Sequence, residues 1–380
     1  MRLIESMREL ESLAGRLGRE RLVAADTEAA GYHRYADRLC LLQLSTRDET
    51  WLVDTLAVGS LNPLADVFED PAIETIFHDA DYDLRLLDRD FDVHVGGLFD
   101  TKIAARFAGE RAFGLSSLLD GKLGVRLEKK FQRADWAKRP LSPEMLEYAA
   151  MDTRYLPELR DRLKDRLEEM GRLAWAEEEF RISERTAWEP SADDEAVYMK
   201  LKGARDLDRR GLAALRELHA WREELARERD VASFRVLNNE PLLEMATRLP
   251  ASERELAAVP GLSDGNVRRY GRALLEALDR ARAVPESELP SWPRGPRRPP
   301  RDPDVDAWVE RLRQARDAAA DRLDLERGFL MPRAQLEELA RRQPADRRAL
   351  AEVPGVRNWQ VEAIGDALLD VLSGNGRNSN

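Results

Sequence analysis

Residues that build disulfides and zinc sites are scarce in this chain of 380 residues, which contains one cysteine and four histidines. The single cysteine, Cys40, has no partner for an internal disulfide, and this favours a reducing cytoplasm. No Cys/His cluster has the spacing of a zinc site, and no Gly-x-x-x-x-Gly-Lys-Ser/Thr loop is present to bind a nucleotide. The same scarcity leaves little for catalysis by a histidine-based triad.

Long apolar runs are also missing. None approaches the roughly 20 residues that a membrane span needs, and residues 1–6 turn acidic at once, without the apolar region of a secretory signal. We therefore expect a cytoplasmic chain with no membrane partner. With 35% charged and 43% hydrophobic residues, a chain of this length should form two or three helix-rich domains.

A large basic surface is not expected, because the net charge is -11. The acidity is concentrated in the first half: residues 1–190 hold 28 Lys and Arg against 38 Asp and Glu, whereas residues 191–380 hold 33 against 34. Net charge affects solubility and nonspecific association and does not decide what a local site binds. Any affinity for nucleic acid should therefore be modest and sensitive to salt.

The hydrophobic pattern of the first half predicts a mixed sheet with helices packed on it. Apolar residues recur at helical spacing over 6–18, and three short apolar strands over 22–25, 38–45 and 51–53 predict an antiparallel meander. A helix near 63–69, a strand over 73–77 and a helix near 81–89 should follow. From about 101 to 186 the pattern is almost wholly helical.

The second half contains an internal repeat. Residues 256–262 (LAAVPGL) match residues 350–356 (LAEVPGV) at an offset of 94, and Pro250 and Pro344 keep the same offset. This predicts the duplication of a helical domain of about 70–85 residues. Between the copies, residues 285–303 contain seven prolines and four arginines, which predicts a stiff, extended connector. The expected division is 1–190, 197–284, the linker 285–303, 304–373 and a polar tail over 374–380.

Acidic residues gather at the ends of two predicted strands. Asp26 and Glu28 lie two apart at a strand end, and alternation places both on the same side. After the strand over 73–77, Asp79, Asp81 and Asp83 are alternatives for a third acid. We expect Asp79 or Asp81 to cap the following helix, where negative charge is favourable without any metal.

A later helix adds a tyrosine and another acid. Ser142 and Pro143 are typical of a helix start, which predicts a helix from 143 to about 156. Tyr148 and Asp152 are four residues apart and therefore share one face. Taken alone, this helix is better explained as an amphipathic helix with an exposed aspartate and a packed tyrosine than as part of a site.

Together, acids from three segments predict a metal site, because carboxylates that meet in a folded core repel one another unless cations hold them. Magnesium requires hard oxygen ligands and keeps some of its waters. Two divalent ions about 4 Å apart can clamp the attacking and the leaving oxygens of a phosphoryl displacement. The pattern therefore indicates two Mg²⁺ or Mn²⁺ ions and phosphate chemistry.

Several longer motifs in the first half carry a family resemblance. They are residues 25–28 (ADTE) followed by 39–45, residues 78–84 (HDADYDL), residues 99–105 (FDTKIAA), and the run 115–156, which includes QRADW, RPLS and YAAMD. In this order they resemble the 3′→5′ exonucleases of the DEDD group, in the subclass with a tyrosine, and specifically the ribonuclease D family. The two repeats resemble HRDC domains, the small helical modules that follow the exonuclease domain in this family.

The resemblance implies roles for individual residues. Asp26, Glu28, Asp83 and Asp152 correspond to the metal-binding acids, and Tyr148 corresponds to the tyrosine that positions the attacking water. Substrate contacts are expected from Thr27, His78 and Arg139, although His78 is as easily explained as a structural histidine. The implied fold is α/β plus all-α: a ribonuclease-H-like exonuclease domain with a mixed sheet, followed by two small helical HRDC domains.

The function implied by the resemblance is hydrolytic 3′→5′ trimming of RNA. The expected substrate is an RNA with a single-stranded 3′ end, in particular a tRNA precursor, and the expected products are 5′-mononucleotides released by a monomeric enzyme. Carboxylates do not recognise the 2′-hydroxyl, so a DNA-directed exonuclease of the same group is an alternative. A non-catalytic RNA-binding scaffold is a second alternative, which the intact set of five residues disfavours.

Overall fold

The computed structural model describes residues 1–128, 130–189, 194–293 and 302–374. Its first unit contains a six-stranded mixed sheet. The strands are β1 (Arg2–Ile4), β2 (Leu22–Ala29), β3 (Leu39–Ser45), β4 (Thr50–Asp54), β5 (Glu74–Phe77) and β6 (Leu98–Asp100). Their spatial order is β1-β4-β3-β2-β5-β6, and β2, β3 and β4 form the predicted antiparallel meander. The strands β1 and β6, which the sequence pattern did not predict, extend the sheet through parallel pairs with β4 and β5.

Nine α-helices surround this sheet in the described part of the first unit. They are α1 (Met7–Leu17), α2 (Thr55–Val58), α3 (Asn62–Glu69), α4 (Asp81–Phe91), α5 (Thr101–Phe107), α6 (Leu115–Leu123), α7 (Pro143–Arg154), α8 (Leu156–Glu169) and α9 (Leu173–Ser183). The helices predicted near 6–18, 63–69 and 81–89 are confirmed.

The prediction of an almost wholly helical segment from 101 to 186 is wrong between α6 and α7. The described residues there form turns and irregular chain. Gly124 ends α6 in the left-handed conformation, with φ 69°. Arg139 precedes Pro140, and a residue before proline is disfavoured in the α conformation. This irregular segment lies beside the site described below.

The repeat predicted from the sequence appears as two sets of five helices. The first repeat comprises α10 (Arg209–Glu228), α11 (Ser233–Val236), α12 (Asn239–Arg248), α13 (Glu253–Leu256) and α14 (Asp264–Ala283). The second repeat comprises α15 (Pro303–Leu323), α16 (Arg327–Leu330), α17 (Arg333–Arg342), α18 (Arg347–Ala351) and α19 (Asn358–Leu372). Every helix of the second repeat begins 94 residues after its counterpart, as from Arg209 to Pro303. The turns before α14 and α19 each contain a glycine with positive φ, Gly261 at 75° and Gly355 at 83°.

The two repeats pack differently against the first unit. The second repeat shares its core with the sheet unit: the ring centroids of Phe329 and Trp359 lie 4.8 and 4.9 Å from that of Phe107. Arg172 adds a 2.6 Å hydrogen bond to the Leu323 carbonyl of α15. The first repeat instead has a core of its own. It contacts the sheet unit where the loop after β2 meets α11 and the chain just before it.

Two further expectations concern the linker and the membrane. Of the linker predicted over 285–303, residues 294–301 lie outside the described residues, and residues 286–288 form a short 3-10 turn. Among the helices that the structure describes, none combines the length and apolar character required to cross a membrane.

Candidate active site

The site forms where β2 extends beyond the end of its neighbour β5. The parallel pairing joins Leu22–Ala24 to Glu74–Ile76, so Asp26 and Glu28 lie just beyond the last paired residues. The chain leaves β5 at the same edge and enters α4, whose first turn contains Asp83. The carboxyl ends of parallel strands meet at one edge of a sheet, which is where such folds commonly bind ligands. The first and second acidic segments are therefore neighbours.

Helix α7 contains the other two predicted site residues, Tyr148 and Asp152, and places them near the end of β2. The Ser142 hydroxyl accepts a 3.3 Å hydrogen bond from the Met145 amide, and Pro143 is in the first turn, as predicted. The helix packs on β2, β3 and β4. Buried Thr153 shares a 2.8 Å hydrogen bond with Ser45 of β3, which fixes this helix on the sheet. The neighbouring Asp152 is thereby aimed at the end of β2.

Three of the four predicted acids form one cluster. Carboxylate oxygens of Asp26, Glu28 and Asp152 all lie within 4.8 Å of one another. Asp83 stands beside this cluster, and its carboxylate accepts a hydrogen bond from the Thr27 hydroxyl. Within residues 1–128, 130–189, 194–293 and 302–374, no Lys or Arg forms an ion pair with any of the four.

The pKa values reflect this crowding. Burial, followed by the charges of the other three acids, raises the pKa of Asp26 well above its ordinary value. Burial and the charges of Asp152 and Asp83 do the same for the pKa of Glu28. Burial raises the pKa of Asp83 to about 7 against the opposing Thr27 hydrogen bond, and it raises the pKa of Asp152 to about 7. The site therefore favours either protons or cations.

This donor set fits hard divalent cations. The clustered donors are carboxylate oxygens, which Mg²⁺ and Mn²⁺ prefer. The raised pKa values indicate negative charge that the described protein does not itself neutralise. Asp26, Glu28 and Asp152, with Asp83 beside them, are the residues that could hold such ions.

Tyr148 faces the same site from one turn earlier on α7. Its ring lies 5.8 Å from the Phe131 ring and 6.2 Å from the Trp136 ring, measured between centroids. Trp136 is buried, so the tyrosine has a fixed support. Burial and the charges of Asp152, Glu28 and Asp26 raise the pKa of the Tyr148 phenol, which keeps its hydroxyl protonated as a hydrogen-bond donor.

A cavity of about 420 Å³ opens onto the acids. Its lining comprises Asp26, Thr27, Glu28, His78, Gly114, Leu115, Ser116, Ser117, Leu127, Glu128, Gln132, Tyr148, Asp152 and Leu156. Ser116, Ser117 and Gln132 were not among the residues predicted from the sequence. Gln132 falls within the QRADW motif, which was a signal available for it, and the two serines lie at the start of the longer run 115–156 that carries the family resemblance.

The three predicted substrate contacts have different positions. Thr27 and His78 line the cavity, and the His78 Nδ1 atom is 2.9 Å from the Thr101 hydroxyl. Burial lowers the pKa of His78, which favours its neutral form. The structure does not bring Arg139 to this cavity. Its guanidinium donates to the buried Asp54 at 2.5 and 2.8 Å and to the Cys40 carbonyl at 2.9 Å.

The expectation that Asp79 or Asp81 caps α4 is wrong. The residue before this helix is Ala80, and Asp79 pairs with Lys102 while Asp81 pairs with Arg85. The amides of Asp79 and Ala80 are instead bound by Asp100, at 3.2 and 2.8 Å. The same carboxylate caps α5. A residue from the end of β6 therefore holds the turn that leads to Asp83.

Comparison with known protein families identifies the class as a 3′→5′ exonuclease with two HRDC domains. The family model described as a 3′-5′ exonuclease matches residues 1–168. The HRDC domain model matches residues 211–278 and 306–372. The chain belongs to the ribonuclease D family of 3′→5′ exoribonucleases.

Individual relatives support this assignment. The chain is 33% identical to ribonuclease D of Gluconacetobacter diazotrophicus over 376 residues, which cover 98% of this chain and 93% of the relative. It is 34% identical to ribonuclease D of Escherichia coli over 269 residues, covering 70% and 71%. The crystal structure of the Escherichia coli enzyme, an exoribonuclease involved in structured RNA processing, matches with a TM-score of 0.69 and 29% identity over 98% of both chains. A protein from Bifidobacterium adolescentis matches with a TM-score of 0.82 and 26% identity, covering 98% and 97%.

Proposed function

We propose that this enzyme removes nucleotides one at a time from the 3′ ends of tRNA precursors by metal-dependent hydrolysis. The observation that carries the chemistry is the cluster of Asp26, Glu28 and Asp152, whose oxygens lie within 4.8 Å of one another in a cavity beside Tyr148. The choice of substrate rests on the relationship to the Escherichia coli enzyme, which is described as acting in structured RNA processing.

The proposal assigns two divalent metal ions to the four acids. Asp26, Glu28 and Asp152 would hold them together with Asp83, which the Thr27 hydroxyl keeps beside the cluster. When bound, the ions would supply positive charge to the attacking and leaving oxygens of the terminal phosphodiester.

The other residues of the cavity would bind and orient the reactants. Tyr148, held by the rings of Phe131 and Trp136, would direct a water molecule toward the phosphorus with its hydroxyl. Neutral His78 and Thr27 line the same cavity and would contact the terminal nucleotide. Attack of water on that phosphodiester breaks its bond to the 3′ oxygen of the preceding residue. The product is a 5′-mononucleotide and an RNA one residue shorter.

The decisive experiment is a laddering assay on a labelled single-stranded RNA with its 3′ end free or blocked. We expect stepwise shortening of the free RNA in Mg²⁺ or Mn²⁺, and none with EDTA, with a blocked end, or in Asp26→Asn. Shortening without divalent ions, or in the variant, would contradict the mechanism. A DNA of the same sequence separates an exoribonuclease from a DNA-directed enzyme, since only RNA should be shortened efficiently.

The substrate class needs its own comparison. A tRNA precursor with extra 3′ nucleotides should be shortened to near the mature end and then more slowly, because the folded tRNA body withholds further single-stranded chain. A linear RNA of equal length should continue to shorten. Equal progress on both would contradict the assignment to tRNA precursors. We also propose that the enzyme acts in the cytoplasm and that it is a monomer. Sedimentation of the active chain would test the monomeric state.

A further inference from the structure

Two exposed aromatic rings meet at the junction between the sheet unit and the first repeat. Tyr32 lies in the loop after β2 and Phe234 lies in α11, and their side chains are 42% and 43% exposed. Their ring centroids are 5.3 Å apart. Exposed aromatic rings cost hydration free energy, so two of them in contact on a surface indicate a binding role.

Arginines surround these rings. The guanidinium of Arg133 lies 5.5 Å from the Tyr32 ring centroid, and that of Arg235 lies 5.3 Å from the Tyr32 ring and 5.7 Å from the Phe234 ring. We refer to Tyr32, Arg133, Phe234 and Arg235 as the junction cluster. Arg235 also donates to the Tyr32 carbonyl at 3.0 Å, which holds the two units together at this point.

Two acids beside the junction cluster, Asp135 and Asp230, share one arginine instead of pairing with the arginines of the cluster. Arg34 pairs with Asp135 at 3.1 Å and with Asp230 at 3.3 Å. Neither Arg133 nor Arg235 forms an ion pair with a carboxylate among the described residues. In an enzyme with a net charge of -11, the junction cluster is therefore a local combination of aromatic and positive groups.

The junction cluster lies close to the active site along the chain. Gln132 lines the catalytic cavity and is the chain neighbour of Arg133. Tyr32 follows Glu28 by four residues, so their Cα atoms are at most about 14 Å apart even for extended chain. That upper limit corresponds to about four stacked nucleotides at about 3.4 Å each.

We propose that the junction cluster is a stacking site for the bases of the RNA strand a few nucleotides upstream of its 3′ end. The proposal rests on the proposed function, because it requires a 3′ end in the catalytic cavity. Aromatic rings bind unpaired bases irrespective of sequence, since every base has a π face, and arginines add attraction to rings and phosphates. The site would be shared: Tyr32 and Arg133 come from the exonuclease domain and Phe234 and Arg235 from the first HRDC domain.

The second HRDC domain does not repeat this surface. At the offset of 94, Phe234 corresponds to Gly328 and Arg235 to Phe329. The Phe329 ring packs on Phe107 of the exonuclease domain, with 4.8 Å between centroids. The same short helix therefore docks both domains, but only in the first does it present an exposed ring.

The test compares substrates of two lengths. A dinucleotide occupies the catalytic cavity alone, whereas an RNA of about 12 nucleotides also reaches the junction cluster. In the double variant Tyr32→Ala/Phe234→Ala, we expect KM for the longer RNA to rise about 10- to 100-fold, with kcat/KM for the dinucleotide changed less than about twofold. The double variant Tyr32→Phe/Phe234→Tyr keeps both rings and should resemble the wild type.

A matched control is Trp188→Ala. Trp188 is also 43% exposed and also contacts an arginine, Arg89 at 4.9 Å, but it contacts no second ring among the described residues. Its loss should leave the dependence on substrate length unchanged. Equal losses on both substrates in Tyr32→Ala/Phe234→Ala would show that the junction cluster only braces the domains, and would overturn the proposal.

Failure of the proposed function would be seen separately. If the wild type shortened neither RNA, the catalytic assignment would fail, and fluorescence anisotropy of the labelled RNA in EDTA would still decide the role of the junction cluster. Binding that weakens about tenfold or more in Tyr32→Ala/Phe234→Ala supports the stacking site. Equal binding by the wild type and that variant, or no binding by either, contradicts it.

Discussion

Thr27 donates its side-chain hydrogen bond to the carboxylate of Asp83, so a single contact ties β2 to α4 across the candidate metal site. The residues on either side of Thr27 are the acids Asp26 and Glu28. The position of Asp83 is therefore coupled to β2, the strand that contains the other two candidate ligands. The threonine that separates two of the acids in sequence therefore holds the third beside them.

Replacing Thr27 by valine should weaken metal binding. The two side chains have nearly the same shape, but valine leaves the buried Asp83 carboxylate without its hydroxyl partner. Loss of a hydrogen bond that orients a metal ligand typically costs about 10- to 100-fold in affinity or activity. Titration of Mn²⁺ by calorimetry should show this loss, and Thr27→Ser should retain most of the affinity. Unchanged binding in Thr27→Val would mean that Asp83 is positioned by other contacts.

Tyr148→Phe should lower kcat about 10- to 100-fold and change KM little, because it removes the hydroxyl that orients water while the ring keeps its contacts with Phe131 and Trp136. Steady-state kinetics on a short RNA measures both constants, and calorimetry should show unchanged metal binding. A large rise in KM with kcat preserved would instead assign the hydroxyl to substrate binding.

Without metal, the enzyme should lose stability as pH rises. The pKa values of Asp83 and Asp152 are about 7 in the folded chain against an ordinary 3.8, so the folded state binds more protons between these values. Stability then falls as pH increases from about 4 to about 7. In EDTA, the drop in Tm between pH 5 and pH 8 should be smaller in Asp152→Asn than in the wild type, by about 2–4 °C. Saturating Mg²⁺ should reduce the wild-type drop. Identical drops in both proteins would show that Asp152 is not destabilising when ionised.

Arg139→Ala should affect folding more than substrate binding. Asp54 is 2% exposed and would remain buried with no opposite charge. Breaking such a pair from one side costs about 3–5 kcal/mol. The free energy of unfolding in urea should fall by that amount, with KM for RNA changed less than about twofold at a temperature where the variant is folded. Arg139→Lys keeps the charge but not the bidentate geometry, so its free energy of unfolding should lie between those of the wild type and Arg139→Ala. Unchanged stability with a raised KM would instead support the substrate contact that the sequence predicted for Arg139.

Trp359→Ala should destabilise the exonuclease domain as well as the second HRDC domain. Its ring is buried against Phe107 and Trp175, and its indole nitrogen donates to Glu179 at 2.7 Å. Removing a buried tryptophan side chain costs about 3–5 kcal/mol. Thermal unfolding can be monitored through the loss of RNA shortening activity. In the variant this loss should occur at a lower temperature than in the wild type. The control is Tyr270→Ala in the separate core of the first HRDC domain, which should lower activity on short RNA far less.

Local features of the sequence were sufficient to predict the centre of the sheet and to indicate candidate residues for the site. The strands β2 to β4 are apolar and long enough to be recognised, and Tyr148 and Asp152 were placed on one face by helical spacing alone. The repeat was evident because its offset of 94 is kept over many positions. By contrast, β1 and β6 have three residues each, too few to show a period.

Long-range contacts account for what the sequence pattern did not reveal. Arg139 meets Asp54, which lies 85 residues earlier in the chain, so its motif gave no hint of the partner. The turn before α4 is held by Asp100 rather than by the nearby Asp79 or Asp81, because β6 runs alongside β5. Asp83 was selected from its neighbours by family resemblance, and its bond to Thr27 supplies the physical reason for its position.

The two HRDC domains have the same backbone fold but pack differently against the exonuclease domain. In the second domain, Phe329 and Trp359 pack against the exonuclease domain. Substitutions at that surface would therefore affect the stability of the fold. The first keeps its own core and offers Gly265 where the second has Trp359. A duplicated module with a core of its own can change exposed side chains away from its docking contacts without unfolding its neighbour. We therefore expect adaptation to new RNAs to be recorded in the first copy, and the demands of stability in the second.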